Sequence, residues 1–127
     1  LKEGDFQDSA QTVSCHQSIA SDGAFAVAML ANFERPLKDQ GPGLYPRLFW
    51  EAGAIGQLMY LEADAAGLSA TGIGCFFDDA VHQLLGLEGR EWQSLYHFTV
   101  GGKQEDQRLQ SSDAYGHLTP QVVEQDK

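Results

Sequence analysis

The stretch Glu62-Ala63-Asp64-Ala65-Ala66-Gly67-Leu68-Ser69-Ala70-Thr71-Gly72-Ile73-Gly74-Cys75-Phe76-Phe77-Asp78-Asp79 decides how this chain folds. Gly67 reads as the residue just past a helix C-terminus, because glycine enters the left-handed conformation without a Cβ clash. Gly72 and Gly74 alternate with Ile73 and Cys75. That spacing leaves one face of a short strand bare, a pattern that lets another backbone or a flat ligand come close. Asp78 or Asp79 then stands where a helix needs an N-cap acceptor. The stretch therefore predicts helix, glycine stop, glycine-rich strand and capped helix.

Working outward, Tyr45 to Gly67 reads as a helix of about six turns. Leu48, Ala52, Ile55, Met59 and Glu62 share one side, with Phe49, Gly53, Gly56, Tyr60 and Ala63 beside it. Few polar residues interrupt it, so burial on most sides is expected. Gly53 and Gly56 each cost about 1 kcal/mol relative to alanine in a helix interior. Close approach of another helix is the expected return, inside the core or across a subunit interface. Upstream, Ala24 to Phe33 is an apolar run between a turn-forming Ser21-Asp22-Gly23 and Pro36, read as a strand buried on both faces. Ser9 to Ala20 reads as a short helix, and Pro36 to Pro46, with Gly41-Pro42-Gly43, as a loop. Downstream, Asp79 to Leu85 is a short helix stopped at Gly86, and Ser94 to Gly102 a strand. From Lys103 to Lys127 the chain reads as an extended tail. The fold class is α+β, a small mixed sheet packed on one long central helix.

At 127 residues the chain is one domain, and its formal charge is −10. Acidic balance excludes a general nucleic-acid binder, which needs basic clusters against phosphates. No apolar run reaches the roughly 20 residues of a membrane span. Cys15 and Cys75 have no CxxC context, so neither a disulfide framework nor a zinc site is expected, and a reducing cytoplasm is the default setting.

Candidate chemistry is thin. His16, His82, His97 and His117 are isolated from one another; His97 inside the last strand reads as a packed residue, and His82 as a surface partner of Asp79. Asp78-Asp79 reads as a cap before a paired-carboxylate site. Cys75 precedes a helix N-terminus, which lowers a thiol pKa, but a small buried filler is the plainer reading. Lys103 and Arg108 follow the last strand as either phosphate ligands or solvated charges. No phosphate-loop signature or nucleophile elbow is present.

Taken together, Tyr45-Pro46-Arg47-Leu48-Phe49-Trp50-Glu51-Ala52-Gly53-Ala54-Ile55-Gly56-Gln57, Gly72-Ile73-Gly74-Cys75-Phe76-Phe77-Asp78-Asp79 and Ser94-Leu95-Tyr96-His97-Phe98-Thr99-Val100-Gly101 resemble the C-terminal half of the nitroreductase family, nearest to its SagB-type dehydrogenase branch. The resemblance runs over roughly residues 11–109. It implies a partial nitroreductase-like domain that forms a homodimer, or joins a complementing chain, through the Leu48–Tyr60 helix. It implies FMN as cofactor, with Gly72, Gly74 and Cys75 along the ring and Lys103 and Arg108 at the phosphate. NAD(P)H and a small aromatic or peptide-derived substrate are the implied reactants. The arginine- and serine-rich segment with which the family grips FMN has no counterpart in this sequence. A flavin-free dimerisation or binding module is the alternative.

Overall fold

The computed structural model describes residues 3–118. Five helices and three strands follow in the order α1 (Gln7–Val13), α2 (Ile19–Asp22), β1 (Phe25–Asn32), α3 (Glu34–Gln40), α4 (Tyr45–Ala65), β2 (Ser69–Ile73), α5 (Asp78–Leu85) and β3 (Trp92–Gly101). The α+β expectation holds, but the sheet is antiparallel throughout and not mixed. The part of the tail before Leu118 has no strand and a single 3-10 turn at Gly116–Leu118; residues 119–127 lie outside the described residues.

The last strand is the centre of the sheet. β3 lies between β1 and β2 and pairs antiparallel with both. Its alternation sorts the molecule into two layers. Tyr96, Phe98 and Val100 face α4, where Phe98 (0% exposed) packs with Ala63, Met59 and Met29. Burying a phenylalanine completely contributes about 1.5–3 kcal/mol, and this one anchors the α4 layer. His97 and Thr99 face the other way, His97 toward α1 and α5 and Thr99 toward the end of α2.

The junction between α4 and β2 forms as the sequence predicts. Gly67 takes φ 71°. The Leu68 amide donates to the Ala63 carbonyl at 2.8 Å and the Gly67 amide to that of Asp64 at 2.9 Å. This paired closure satisfies carbonyls that a helix end otherwise leaves free.

Several expectations are corrected. α4 is not buried on most sides: only Ala52, Gly56 and Ala63 are buried, while Trp50 is 68%, Leu58 60% and Ile55 50% exposed. A single layer of sheet covers only one stripe of a helix. The sheet, not another helix, uses the thin spot at Gly56, where an added Cβ would meet the Tyr96 ring at 2.9 Å; nothing approaches Gly53. β1 is likewise not buried on both faces, because it is a sheet edge and its first four residues are exposed. The stretch read as a loop from Pro36 to Pro46 instead holds most of α3 and a 3-10 turn at Pro42–Leu44. Pro36 sits in the first turn of α3, where a missing N–H costs nothing. The Ser9–Ala20 helix is two helices split by a turn at Cys15-His16. Neither aspartate caps α5: Phe77 is its N-cap residue, without a side-chain bond, and Asp78 instead accepts from Gln93 Nε2 at 2.5 Å.

Candidate functional site

The site is built around the end of β2, where the chain leaves the sheet as Gly74-Cys75-Phe76-Phe77. The two glycines of the bare edge turn out to differ. A Cβ on Gly72 would collide with the Tyr96 hydroxyl and ring, and the Gly72 amide donates to the Tyr60 hydroxyl at 2.8 Å. Two tyrosines, one from β3 and one from α4, thus occupy the Gly72 face. Burial pushes the Tyr96 phenol up, helped by nearby Tyr60. Around Gly74 there is nothing within 4 Å of where a Cβ would stand. The open part of the edge is therefore Gly74 and Cys75.

Behind this edge lies His97. It is 4% exposed, with Nδ1 at 3.3 Å from Ser14 Oγ and Nε2 at 3.0 Å from Ser94 Oγ. The Phe76 ring stacks on the imidazole with centroids 4.2 Å apart and planes within 4°. Burial lowers the His97 pKa below its ordinary value, against a smaller upward pull from Asp78. The imidazole is hydrogen-bonded at both nitrogens and covered, with burial disfavouring its charged form, as expected of a packed residue. His97 and Ser14 also form the polar corner of an otherwise apolar cavity of about 590 Å³, walled by Val13, Ile73, Val81 and Leu84. His82 makes no ion pair with Asp79 among the described residues, and its Nε2 is buried without a hydrogen-bond partner.

The cysteine expectations fail. Cys15 and Cys75 form a disulfide, with Cα atoms 5.8 Å apart across a sequence separation of 60. Cys75 is also exposed rather than a buried filler. The bond forms because three other contacts bring the α1–α2 turn to the end of β2. The Phe77 amide donates to the Val13 carbonyl at 2.8 Å, Gln17 Nε2 to the Cys75 carbonyl at 3.3 Å, and Ser14 meets His97. No local spacing signals such long-range ties. In the same turn Cys15 and His16 have φ of 55° and 58°, and the Gln17 amide donates to the Ser14 carbonyl at 3.2 Å. Positive φ at both central residues is the type I′ pattern, which asparagine and glycine normally supply. Side chains there cost roughly 1–2 kcal/mol per residue.

At the far end of β2, Ser69 pairs with Gly101, whereas Ile73 pairs with His97. Four residues of strand rise, about 13 Å, therefore lie between the Gly74 end and the Gly101 end that leads to Lys103. A second cavity of about 540 Å³ opens there, lined by Ser69, Thr71, Thr99, Gly101, Gly102 and also Asp22. Lys103 Nζ lies 3.7 Å from Glu105, both exposed. Arg108 is held more firmly: Nε donates to Asp106 Oδ1 at 2.8 Å and Nη2 to Oδ2 at 2.6 Å. The structure thus separates Gly74 and Cys75, at one end of β2, from Gly101 and the Lys103 that follows it at the other. Sequence reasoning missed the Tyr60–Tyr96 filling of Gly72 and the Asp106 partner of Arg108; only the second carried a local signal, an acid two residues before the base.

With this geometry in view, the family model described as Nitroreductase family matches residues 2–102. The chain belongs to the nitroreductase family. No curated protein matches the sequence. Among solved structures, the chain is similar to a candidate nitroreductase from Anabaena variabilis, with 26% identity and a TM-score of 0.75 over 82% of this chain and 21% of that one. It is also similar to NfrA1 from B. megaterium, with 16% identity and a TM-score of 0.69 over all of this chain and 57% of that one. A third is an FMN-dependent nitroreductase from Clostridium difficile, with 13% identity and a TM-score of 0.59 over 82% and 62%. The last two likenesses show the nitroreductase fold alone. The chain spans about a fifth of the Anabaena structure and a little over half of the Bacillus one.

Proposed function

We propose that this chain supplies one wall of an FMN site in a flavin-dependent oxidoreductase, as the C-terminal half of a nitroreductase fold of the SagB type. The observation that carries the reading is the placement of two features at opposite ends of β2. The open Gly74–Cys75 edge stands at one end and Lys103 at the other. An elongated ligand with a flat ring and a terminal phosphate needs this separation. Gly74 lets a ring approach the backbone without a Cβ between them, and Lys103 offers the phosphate a positive charge. Gly72 acts at one remove, since its bare face seats Tyr96 and keeps the strand flat beside Gly74. Arg108 joins the phosphate only by leaving Asp106. Bound FMN would supply the electron-transfer chemistry, taking a hydride from NADH or NADPH, or from a substrate, and passing the electrons on.

The exposed apolar stripe of α4 supports the assembly part of the proposal. Phe49, Trp50, Ile55, Leu58 and Leu61 are all exposed, more apolar surface than a lone helix face normally leaves to water. A homodimer, or a complementing chain seated on Leu48–Tyr60, covers it and completes the flavin cleft. A small aromatic or peptide-derived acceptor suits such a cleft. A cytoplasmic setting belongs to the same reading only with the Cys15–Cys75 pair open to reduction there. Among the described residues no helix is long and apolar enough to cross a membrane.

Titrating FMN with the protein tests the reading: binding quenches flavin fluorescence, and NADPH then bleaches the visible flavin band. Unchanged fluorescence with protein in large excess would sink it. One observation favours a second reading. Arg108 is already neutralised by Asp106, which suits a flavin-free dimerisation module. A dimer in sedimentation without flavin uptake would select that reading.

A further inference from the structure

We propose that Cys15 and Cys75 form a reversible thiol–disulfide exchange site that takes an electron pair from dithiol reductants. The bond is not needed to bring its ends together. Phe77 N–H to Val13 C=O, Gln17 Nε2 to the Cys75 carbonyl, and Ser14 to His97 already hold the α1–α2 turn against the end of β2. Two thiols left by reduction therefore stay in register and can close again. The bond is also within reach, since Cys75 is exposed and Cys15 half-buried. It further sits on a turn whose two central side chains, Cys15 and His16, are both left-handed. Cutting the bond lets the middle of that turn, Cys15 and His16, open more often from a conformation that L-residues avoid. The contacts at Val13, Ser14 and Gln17 keep its ends in place. Exposed or strained disulfides are the ones that exchange readily.

The exchange is written as follows. One thiolate of the reductant attacks Sγ of exposed Cys75, forming a mixed disulfide and releasing Cys15 as a thiolate. The second thiol of the reductant, as thiolate, closes on its own bound sulfur and releases Cys75. The reductant leaves as a disulfide, the protein gains two electrons, and one proton ends on each cysteine. No flavin takes part, so the test stands apart from the function proposed above.

The native protein is treated with dithiothreitol without denaturant, alkylated with N-ethylmaleimide, and analysed by peptide mass spectrometry and amide exchange. The expected result is one label each on Cys15 and Cys75, intact protection of the β3 amides, and Gln17 amide exchange faster by about tenfold, equivalent to about 1.4 kcal/mol. Labelling that appears only in denaturant, or β3 protection lost together with Gln17, would overturn the proposal. A His16→Gly variant checks the role of the turn, since glycine is at ease with positive φ. In it, reduction should change Gln17 exchange by less than about threefold, under about 0.7 kcal/mol; an undiminished tenfold response would refute release of the turn.

Discussion

Replacing Gly72 and Gly74 by alanine, one at a time, separates two residues that look alike in the sequence. The added methyl at Gly72 points at the hydroxyl and ring of Tyr96, which packs from β3 against the Phe98 cluster and must shift to make room. Overpacking of this kind costs about 1–3 kcal/mol. Displacing the Tyr60 hydroxyl from the Gly72 amide adds roughly 0.5–1.5 kcal/mol. Against this, alanine restricts the unfolded chain and returns about 0.4–1 kcal/mol. The net expectation is a loss of about 2–3 kcal/mol, a large share of the 5–15 kcal/mol that holds a typical domain together. At Gly74 the methyl meets nothing, so only the unfolded-chain term remains and the same substitution should stabilise by about 0.4–1 kcal/mol. Urea unfolding measures both. With m near 2 kcal/mol/M, Gly72→Ala lowers the midpoint by about 1–1.5 M and Gly74→Ala raises it by about 0.2–0.5 M. Adding Tyr96→Phe to Gly72→Ala removes the hydroxyl at the point of collision, and the cycle should show coupling of about 1 kcal/mol or more. Equal midpoints for the two alanine variants, or no coupling to Tyr96, would refute the reasoning. FMN titration then reads the other half: Gly74→Ala, still stable, should weaken flavin binding because its methyl enters the ring edge.

Four further outcomes are expected. Stability should be full above pH 6.5, the ordinary histidine value, and decline as pH falls from there toward the lowered value of folded His97, because the unfolded chain binds the proton more readily. His97→Asn should abolish that decline in urea midpoints, and a stability that rises on acidification across this range would contradict the assignment. Trp50→Glu with Leu58→Glu should leave the thermal midpoint within a few degrees but convert the assembly to monomer in sedimentation, since both side chains are mostly exposed in the single chain. His16→Gly should stabilise the protein by about 0.5–1 kcal/mol in urea unfolding, relieving a left-handed side chain at φ 58°. Asp106→Asn should release Arg108 and tighten FMN binding several-fold, with the gain fading as salt is added; unchanged affinity would remove Arg108 from the phosphate site.

The sequence by itself determined the local punctuation of this protein. Gly67 and Gly86 stop their helices at the places read for them, both with positive φ, because glycine carries that preference wherever it stands. The β-forming run of β3 and the long period of α4 were legible for the same reason, being encoded in neighbouring residues. Tertiary structure decided everything that depended on which layers cover an element. An apolar strand reads the same in the middle of a sheet or at its edge, so the exposure of β1 followed only from the strand order. An apolar helix reads the same under one layer or two, so the bare stripe of α4 did as well. The site divides along the same line. The side-chain-poor edge was visible in the alternation of Gly72 and Gly74, but only the arrival of Tyr96 from β3 closed one glycine and left the other open. Cys15 and Cys75, 60 residues apart, became partners through contacts of Val13, Ser14 and Gln17 with β3 and with the exit of β2. Spacing along a chain records which residues can share a face of one element; which faces meet is settled only when the layers pack.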